Sequence, residues 1–189
     1  IPFAAGEEAR YSVRWDGGAM NLVAGEIVLR VKDPQFTLEA TATTAPWVAR
    51  FFEAEDRLVT TTDPGLLPLV HQRELNEGSR HVTRRYDYDW NAGVVRSGDV
   101  ALPLAAAARD SLATMFYVRT LPLATGDVVQ LPVNEAGRNQ VIEVRVAGRE
   151  MVTVAGQQRA AIRLEPRLRQ RVERRTAATV TLWLSDDPR

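Results

Sequence analysis

A chain of 189 residues and 21.0 kDa is the size of one domain and buries about 70% of its unfolded surface on folding. With 45% hydrophobic and 25% charged residues it has a globular composition, and no stretch approaches the roughly 20 apolar residues of a membrane-spanning helix. A formal net charge of +0 excludes a global field for nucleic acid or anionic membrane, and the lack of cysteine excludes disulfides, thiolate metal sites and cysteine nucleophiles. Lys32 is the sole lysine among 24 basic residues, a bias of codon usage in a GC-rich genome rather than of chemistry. The chain opens on Ile1-Pro2-Phe3 without a Met, which fits removal of an upstream segment, such as a signal peptide, by processing or by design.

Tyr11 to Trp15 alternates with period two and predicts a strand, turned by Asp16-Gly17-Gly18. Gly25 to Val31 predicts a second strand ending at Asp33-Pro34. Phe36 to Thr43 predicts a third, with Phe36, Leu38, Ala40 and Ala42 on one face and Thr37, Glu39, Thr41 and Thr43 on the other. Pro46 suits the first position of a short helix near 46–53 that would set Trp47, Phe51 and Phe52 on one face. Arg57 to Thr62 returns to strand. Leu69 to Leu75 and His81 to Trp90 then flank Asn76-Glu77-Gly78-Ser79 as a hairpin, with Tyr86, Tyr88 and Trp90 in one aromatic row.

From about 108 to 120 the alternation gives way to helical spacing. Asp110 or Ser111 can cap the first turn, Leu112, Met115, Phe116 and Arg119 share a face, and Pro122 stops the helix. Ala105 to Ala108 can lengthen it, and Arg119 complements the dipole of its last turn. Strands resume at Val128–Val133, Gln140–Val146, Glu150–Val154, Ala160–Val172 and Ala178–Leu184, separated by Gly137, Gly148 and Gly156. This spacing predicts a mainly β single domain over 1–189: a long curved antiparallel sheet or open half-barrel wrapped around one amphipathic helix.

No catalytic or metal motif emerges, and no cofactor is expected. His71 and His81, the only histidines, flank one hairpin turn and read as solvated strand residues, too few for a zinc site without thiolates. Asp87 and Asp89, near Asp99, have neither the glycine nor the bidentate Glu of a calcium loop and read as a solvated face. Ser111 has no Gly-x-Ser-x-Gly elbow, and the glycines lack phosphate-loop spacing. Arg163, Arg167, Arg169 and Arg171 fall on one strand face opposite Leu164, Leu168 and Val172. They form either a solvated outer face, with Glu165 and Glu173 interspersed, or a grip for an anion or a partner.

Five segments taken together resemble the bacterial domain-of-unknown-function 3108 family. They are Tyr11-Ser12-Val13-Arg14-Trp15 with Ala24-Gly25-Glu26; Asp110 to Arg119; Gly126-Asp127; Val152 to Gly156; and Trp183 to Asp187. They span nearly the whole chain, and order and spacing carry the likeness. The resemblance implies an exported, usually periplasmic protein, shaped like the half-barrels of periplasmic lipoprotein carriers that hold acyl chains. It supplies no catalytic residue. It also implies one or two strands beyond Trp183–Asp187, so a C-terminal edge strand is expected to be missing from a chain that stops at Arg189. The leading expectation is therefore a non-catalytic carrier of an apolar or lipid-like ligand, walled by Trp15, Trp47, Phe51, Phe52, Met115 and Phe116. An envelope interaction or assembly module using the arginine face is the alternative, and an enzyme on envelope glycans or lipids, using Asp87 or Asp89, the third. Neither a nucleic-acid partner nor a transmembrane segment is expected.

Overall fold

The computed structural model describes residues 3–16, 21–32, 36–169 and 180–186. Eight strands succeed one another as an antiparallel meander: β1 (Glu8–Asp16), β2 (Asn21–Lys32), β3 (Thr37–Thr44), β4 (Glu55–Thr62), β5 (Pro68–Glu77), β6 (Arg80–Asp89), β7 (Val94–Ser97) and β8 (Val100–Pro103). Four more, β9 (Val128–Glu135), β10 (Arg138–Val154), β11 (Gln157–Leu168) and β12 (Leu182–Ser185), form a second antiparallel sheet in the order β12-β11-β10-β9. Helix α1 (Pro46–Ala49) links β3 to β4. Helix α2 (Ser111–Tyr117), continued by a 3-10 turn over Val118–Thr120, lies between the sheets in sequence. The expected mainly β half-barrel around one helix is the observed architecture.

Several boundaries differ for physical reasons. The two strands expected on either side of Gly148 are one 17-residue strand, β10, in which the register steps between Val146 and Gly148 as a bulge. The hairpins turn at Ala136-Gly137 and Ala155-Gly156, two of the three expected glycine positions, where both residues hold positive φ, as a two-residue turn compatible with strand twist requires. β7 and β8, four residues each around Gly98, are too short to show a period and went unpredicted. The helix begins at Ser111 rather than near 108. Ala107 takes φ 55° and Arg109 forms a parallel bridge to Val133, so tertiary pairing overrides the helix propensity of the alanine run. Gly17, Gly18, Asp33 and Pro34, expected at turns, lie outside the described residues.

The register sorts the first sheet into rows on its concave face. Val31, Leu38, Thr60, His71 and Tyr86 stand side by side; next come Ala9, Leu29, Ala40, Leu58, Arg73 and Arg84. α2 covers the first of these rows and part of the second. Leu112, Ala113 and Phe116 pack with Phe3, Leu29, Val31, Leu38, Ala40 and Leu66, and Phe3 meets Phe116 edge-to-face at 5.2 Å. A second cluster under the other sheet joins Val118, Leu123, Leu131, Val144, Val146, Ile162 and Leu164, and Tyr117 packs against both clusters. The predicted aromatic row is present: Tyr86 and Tyr88 are buried, and Tyr88 stacks on Trp90.

The convex face carries paired charges. The buried Glu39 carboxylate accepts hydrogen bonds from Lys32 Nζ and Arg57 Nε, each at 2.8 Å, with Arg30 at 3.7 Å. Burial pulls its pKa upward, but Lys32 and Arg57 outweigh burial and hold the carboxyl below its usual 4.5.

Phe116→Ala opens a cavity in the helix–sheet core and is expected to cost about 3–5 kcal/mol in urea unfolding, whereas Met115→Ala, on the exposed side of the same helix, costs less than about 1 kcal/mol. Equal losses would contradict this orientation of α2.

Candidate functional site

Arg109 and Asp110 tie the two sheets together. The Arg109 backbone pairs with β9, its N–H donating to Pro132 O at 3.1 Å and its carbonyl accepting from Asn134 N at 2.8 Å. Its guanidinium donates to Gly65 O in the β4–β5 turn at 2.9 Å and lies 3.4 Å from the Tyr117 ring centroid. Asp110 Oδ1 accepts from the Leu112 and Ala113 backbone N–H groups, capping α2, and from Thr60 Oγ1 on β4 at 3.0 Å. Thr60 Oγ1 is also 2.8 Å from His71 Nδ1. A hydroxyl proton given to the carboxylate leaves Thr60 to accept from His71, so the relay runs His71 to Thr60 to Asp110. Asp110 Oδ2 is buried with no hydrogen-bond partner among the described residues.

His71 is therefore not the solvated strand residue expected from sequence. It points into the concave row beside Tyr86 and is 1% exposed. Burial lowers its pKa below 6.5 despite the Asp110 and Glu135 carboxylates, and Arg73 pushes the same way, so the imidazole is neutral. Thr60 and Asp110 are equally buried, so the group joins β4, β5 and the start of α2 away from solvent. His81 is exposed and contacts Asn76 Oδ1, and no cluster of three metal-ligating side chains occurs among the described residues. Asp87 binds Arg85, while Asp89 accepts from Ala92 N–H and stands 3.8 Å from Arg96; neither faces the concave side.

The expected wall residues part company. Phe116, 2% exposed, is core. Met115 (40%), Trp47 (39%), Phe51 (88%) and Phe52 (51%) are exposed. The Trp15 side chain lies outside the described residues. Trp47 Nε1 donates to Val23 O at 2.7 Å, anchoring the α1 segment on the end of β2. That end of the first sheet is also where its concave face runs past α2. A third row there joins Tyr11, Ile27 and Ala42 with Asp56, and beyond them lie Leu75 and Val82. Ile27 and Leu58 border the packed core; Tyr11 and Val13 stand clear of it, 50% and 41% exposed. Sequence reasoning missed Tyr11, Val13, Leu75 and Val82 as a surface, because only register shows which strand faces the helix leaves bare. A separate open depression of about 390 Å³ is lined by Gly6, Glu7, Glu8, Arg30, Val31 and Lys32, none of which is an expected wall residue.

The expected arginine face is largely neutralised. Arg163 approaches Glu150 at 3.5 Å and Glu165 at 3.8 Å, Arg167 stands 4.0 Å from Glu165, and Arg169 donates to Gln130; Arg171 lies outside the described residues. Among the described residues no helix is long and apolar enough to cross a membrane.

The chain belongs to the family described as "Protein of unknown function (DUF3108)", whose model matches residues 10–189. It is similar to the crystal structure of a DUF1089 family protein from Pseudomonas aeruginosa at 16% sequence identity and a TM-score of 0.47, over 80% of this chain and 90% of that one. No curated protein matches it.

The neutral, buried His71 makes stability depend on pH. Its folded pKa lies below the unfolded 6.5, so the unfolded chain binds the extra proton first, and stability present above pH 6.5 is lost as the pH falls below it. Glu39, also lowered, adds its loss only below about 4.5. In thermal melts the drop in Tm just below pH 6.5 is expected to shrink in His71→Gln, which still hydrogen-bonds Thr60 but does not titrate. An unchanged slope would remove His71 as its source.

Proposed function

We propose that this chain is a non-catalytic, exported binding protein of the cell envelope that holds an apolar, lipid-like ligand on the uncovered end of its concave face. The observation that carries this reading is the exposed apolar surface beyond α2. There Tyr11 and Val13 adjoin Ile27, Ala42 and Leu58, and Trp47, Phe51 and Phe52 stand at the same end of the sheet. Apolar area left open at the mouth of a curved sheet gains about 25 cal/mol for each Å² that a ligand covers. The ligand lies in an open half-channel, because the rest of the concave face is filled by α2 and the Phe3–Phe116 pair. The carrier-like shape implied by the family resemblance and the periplasmic setting it implies agree with this use.

A second reading, an assembly module that docks a protein, is favoured by Phe51. At 88% exposure on a connecting segment, it is shaped to enter a partner's pocket.

The two readings separate in native mass spectrometry of protein purified without detergent, followed by organic extraction. The proposal expects a co-purifying lipid-sized mass, diminished in Tyr11→Ser and Phe52→Ala while both variants keep their melting temperature within a few degrees. A clean unliganded mass in wild type would overturn it in favour of protein docking.

A further inference from the structure

We infer that the segment from Pro46 to Phe52 is a docking tip that enters the interfacial region of a zwitterionic lipid bilayer. Docking goes beyond the apolar-ligand reading and does not depend on it. Apart from Arg50 the residues of this segment are apolar or aromatic, yet none is buried and none belongs to a core cluster. Phe51 is 88% exposed, and Phe52 and Trp47 are exposed beside it. A helix of four residues without a packed face does not hold itself together. This one is held from both ends. Ala45 N–H donates to Ala24 O at 2.8 Å, Thr44 N–H to Ala54 O at 3.0 Å, and Gly78 N–H to Glu53 O at 2.7 Å. Trp47 Nε1 is tied to Val23 O. The three aromatic residues are therefore carried on a platform fixed to the ends of β2, β3 and β5.

The hydrogen bonding of the tip suits lipid better than a protein pocket. The N–H groups of Val48, Ala49, Phe51 and Phe52 donate to Ala45 O or Val48 O at 2.8–3.0 Å, and the indole N–H is spent on Val23. These donors can leave water without being stranded, which the hydrocarbon edge of a bilayer demands because it offers no partners. The long stem of Arg50 lets its guanidinium remain among the head groups while the rings beside it enter. The surrounding charge selects the class of lipid. At this end of the first sheet Arg14, Arg50 and Arg80 are set against Glu53, Glu55 and Glu77, with Asp56 behind them, among the described residues. No positive excess draws the tip to an anionic surface, so apolar burial drives docking and the complementary surface carries no net charge. Leu22 and Val23, also exposed, continue the apolar surface from Trp47 toward β1.

The test is sedimentation of the whole chain with phosphatidylcholine vesicles, with and without phosphatidylglycerol, at low and high salt. The proteins are wild type, Phe51→Ser, Phe52→Ser, Tyr11→Ser and Met151→Ser, the last an exposed apolar control on β10. Wild type is expected to sediment with phosphatidylcholine. Phe51→Ser and Phe52→Ser are each expected to bind about tenfold more weakly, the loss of one inserted ring. Tyr11→Ser and Met151→Ser bind as wild type does. Phosphatidylglycerol leaves binding unchanged, and salt does not weaken it. Phe51 contributes no packing, so its variant keeps the wild-type melting temperature and weaker binding is not unfolding. Wild type that stays in the supernatant overturns the inference and leaves Phe51 to a protein pocket. Binding that survives Phe51→Ser, or that needs anionic lipid and is abolished by salt, overturns it as well. A co-purifying lipid diminished by Tyr11→Ser would keep the ligand reading even then. Vesicle binding by a chain that carries no lipid would remove the ligand reading and keep the docking tip.

Discussion

The two sheets, the helix and the open end of the concave face all depend on two consecutive residues, Arg109 and Asp110. One backbone unit pairs with β9 of the second sheet, while the two side chains reach Gly65 and Thr60 of the first. The same Asp110 oxygen caps α2, so the start of the helix and the joint between the sheets share one carboxylate. A buried carboxylate is tolerated only when it is hydrogen-bonded. Here three donors converge on Oδ1, and a neutral His71 supports the Thr60 hydroxyl from behind. Asp110 sets where the helix starts, and therefore how far along the concave face it reaches.

That reach divides the face into two parts with different physics. Near the clasp, Leu112, Ala113 and Phe116 close against β2 and β3, and the Phe3 ring completes the packing. A helix of seven residues spans only about 10 Å, less than the width of the curved sheet it covers. Beyond it the row of Tyr11, Ile27 and Ala42 continues to Asp56, Leu75 and Val82, with Tyr11 half exposed. The convex side has no such imbalance. Glu39 gathers Lys32, Arg57 and Arg30, and Glu8 pairs with both Arg10 and Arg30, so the outer surface is polar and internally compensated. The exposed apolar residues Tyr11 and Val13 lie on the inner side, where the proposed ligand would meet them.

Much of this architecture was legible in the residues. Period-two alternation located the long strands because one face of each meets the core and the other meets water. Asp110 ahead of Leu112 and Phe116 marked the helix start, and Tyr86, Tyr88 and Trp90 marked an inward row. What was not legible follows from pairing. Gly148 reads as a turn, yet within a ladder it became a bulge that lets β10 run on. Ala105 to Ala108 reads as helix, yet the strand pairing of Arg109 prevailed. His71 carries no local signal of burial; only its place opposite Thr60 and Tyr86 puts it inside.

The amino-acid sequence by itself determined which segments are extended, where the single amphipathic helix belongs and which strand faces are apolar, because these are properties of neighbouring residues and their periodicity. Tertiary structure alone decided which apolar faces are covered and which remain open, and which charges find partners. Phe116 and Phe51 are equally hydrophobic in the sequence, yet one fills the core and the other stands in solvent. Arg73 and Arg84 are equally charged, yet only one has a carboxylate in reach. Burial and ion pairing depend on what another part of the chain brings to the same place, and that is set by the register of the strands and the span of α2.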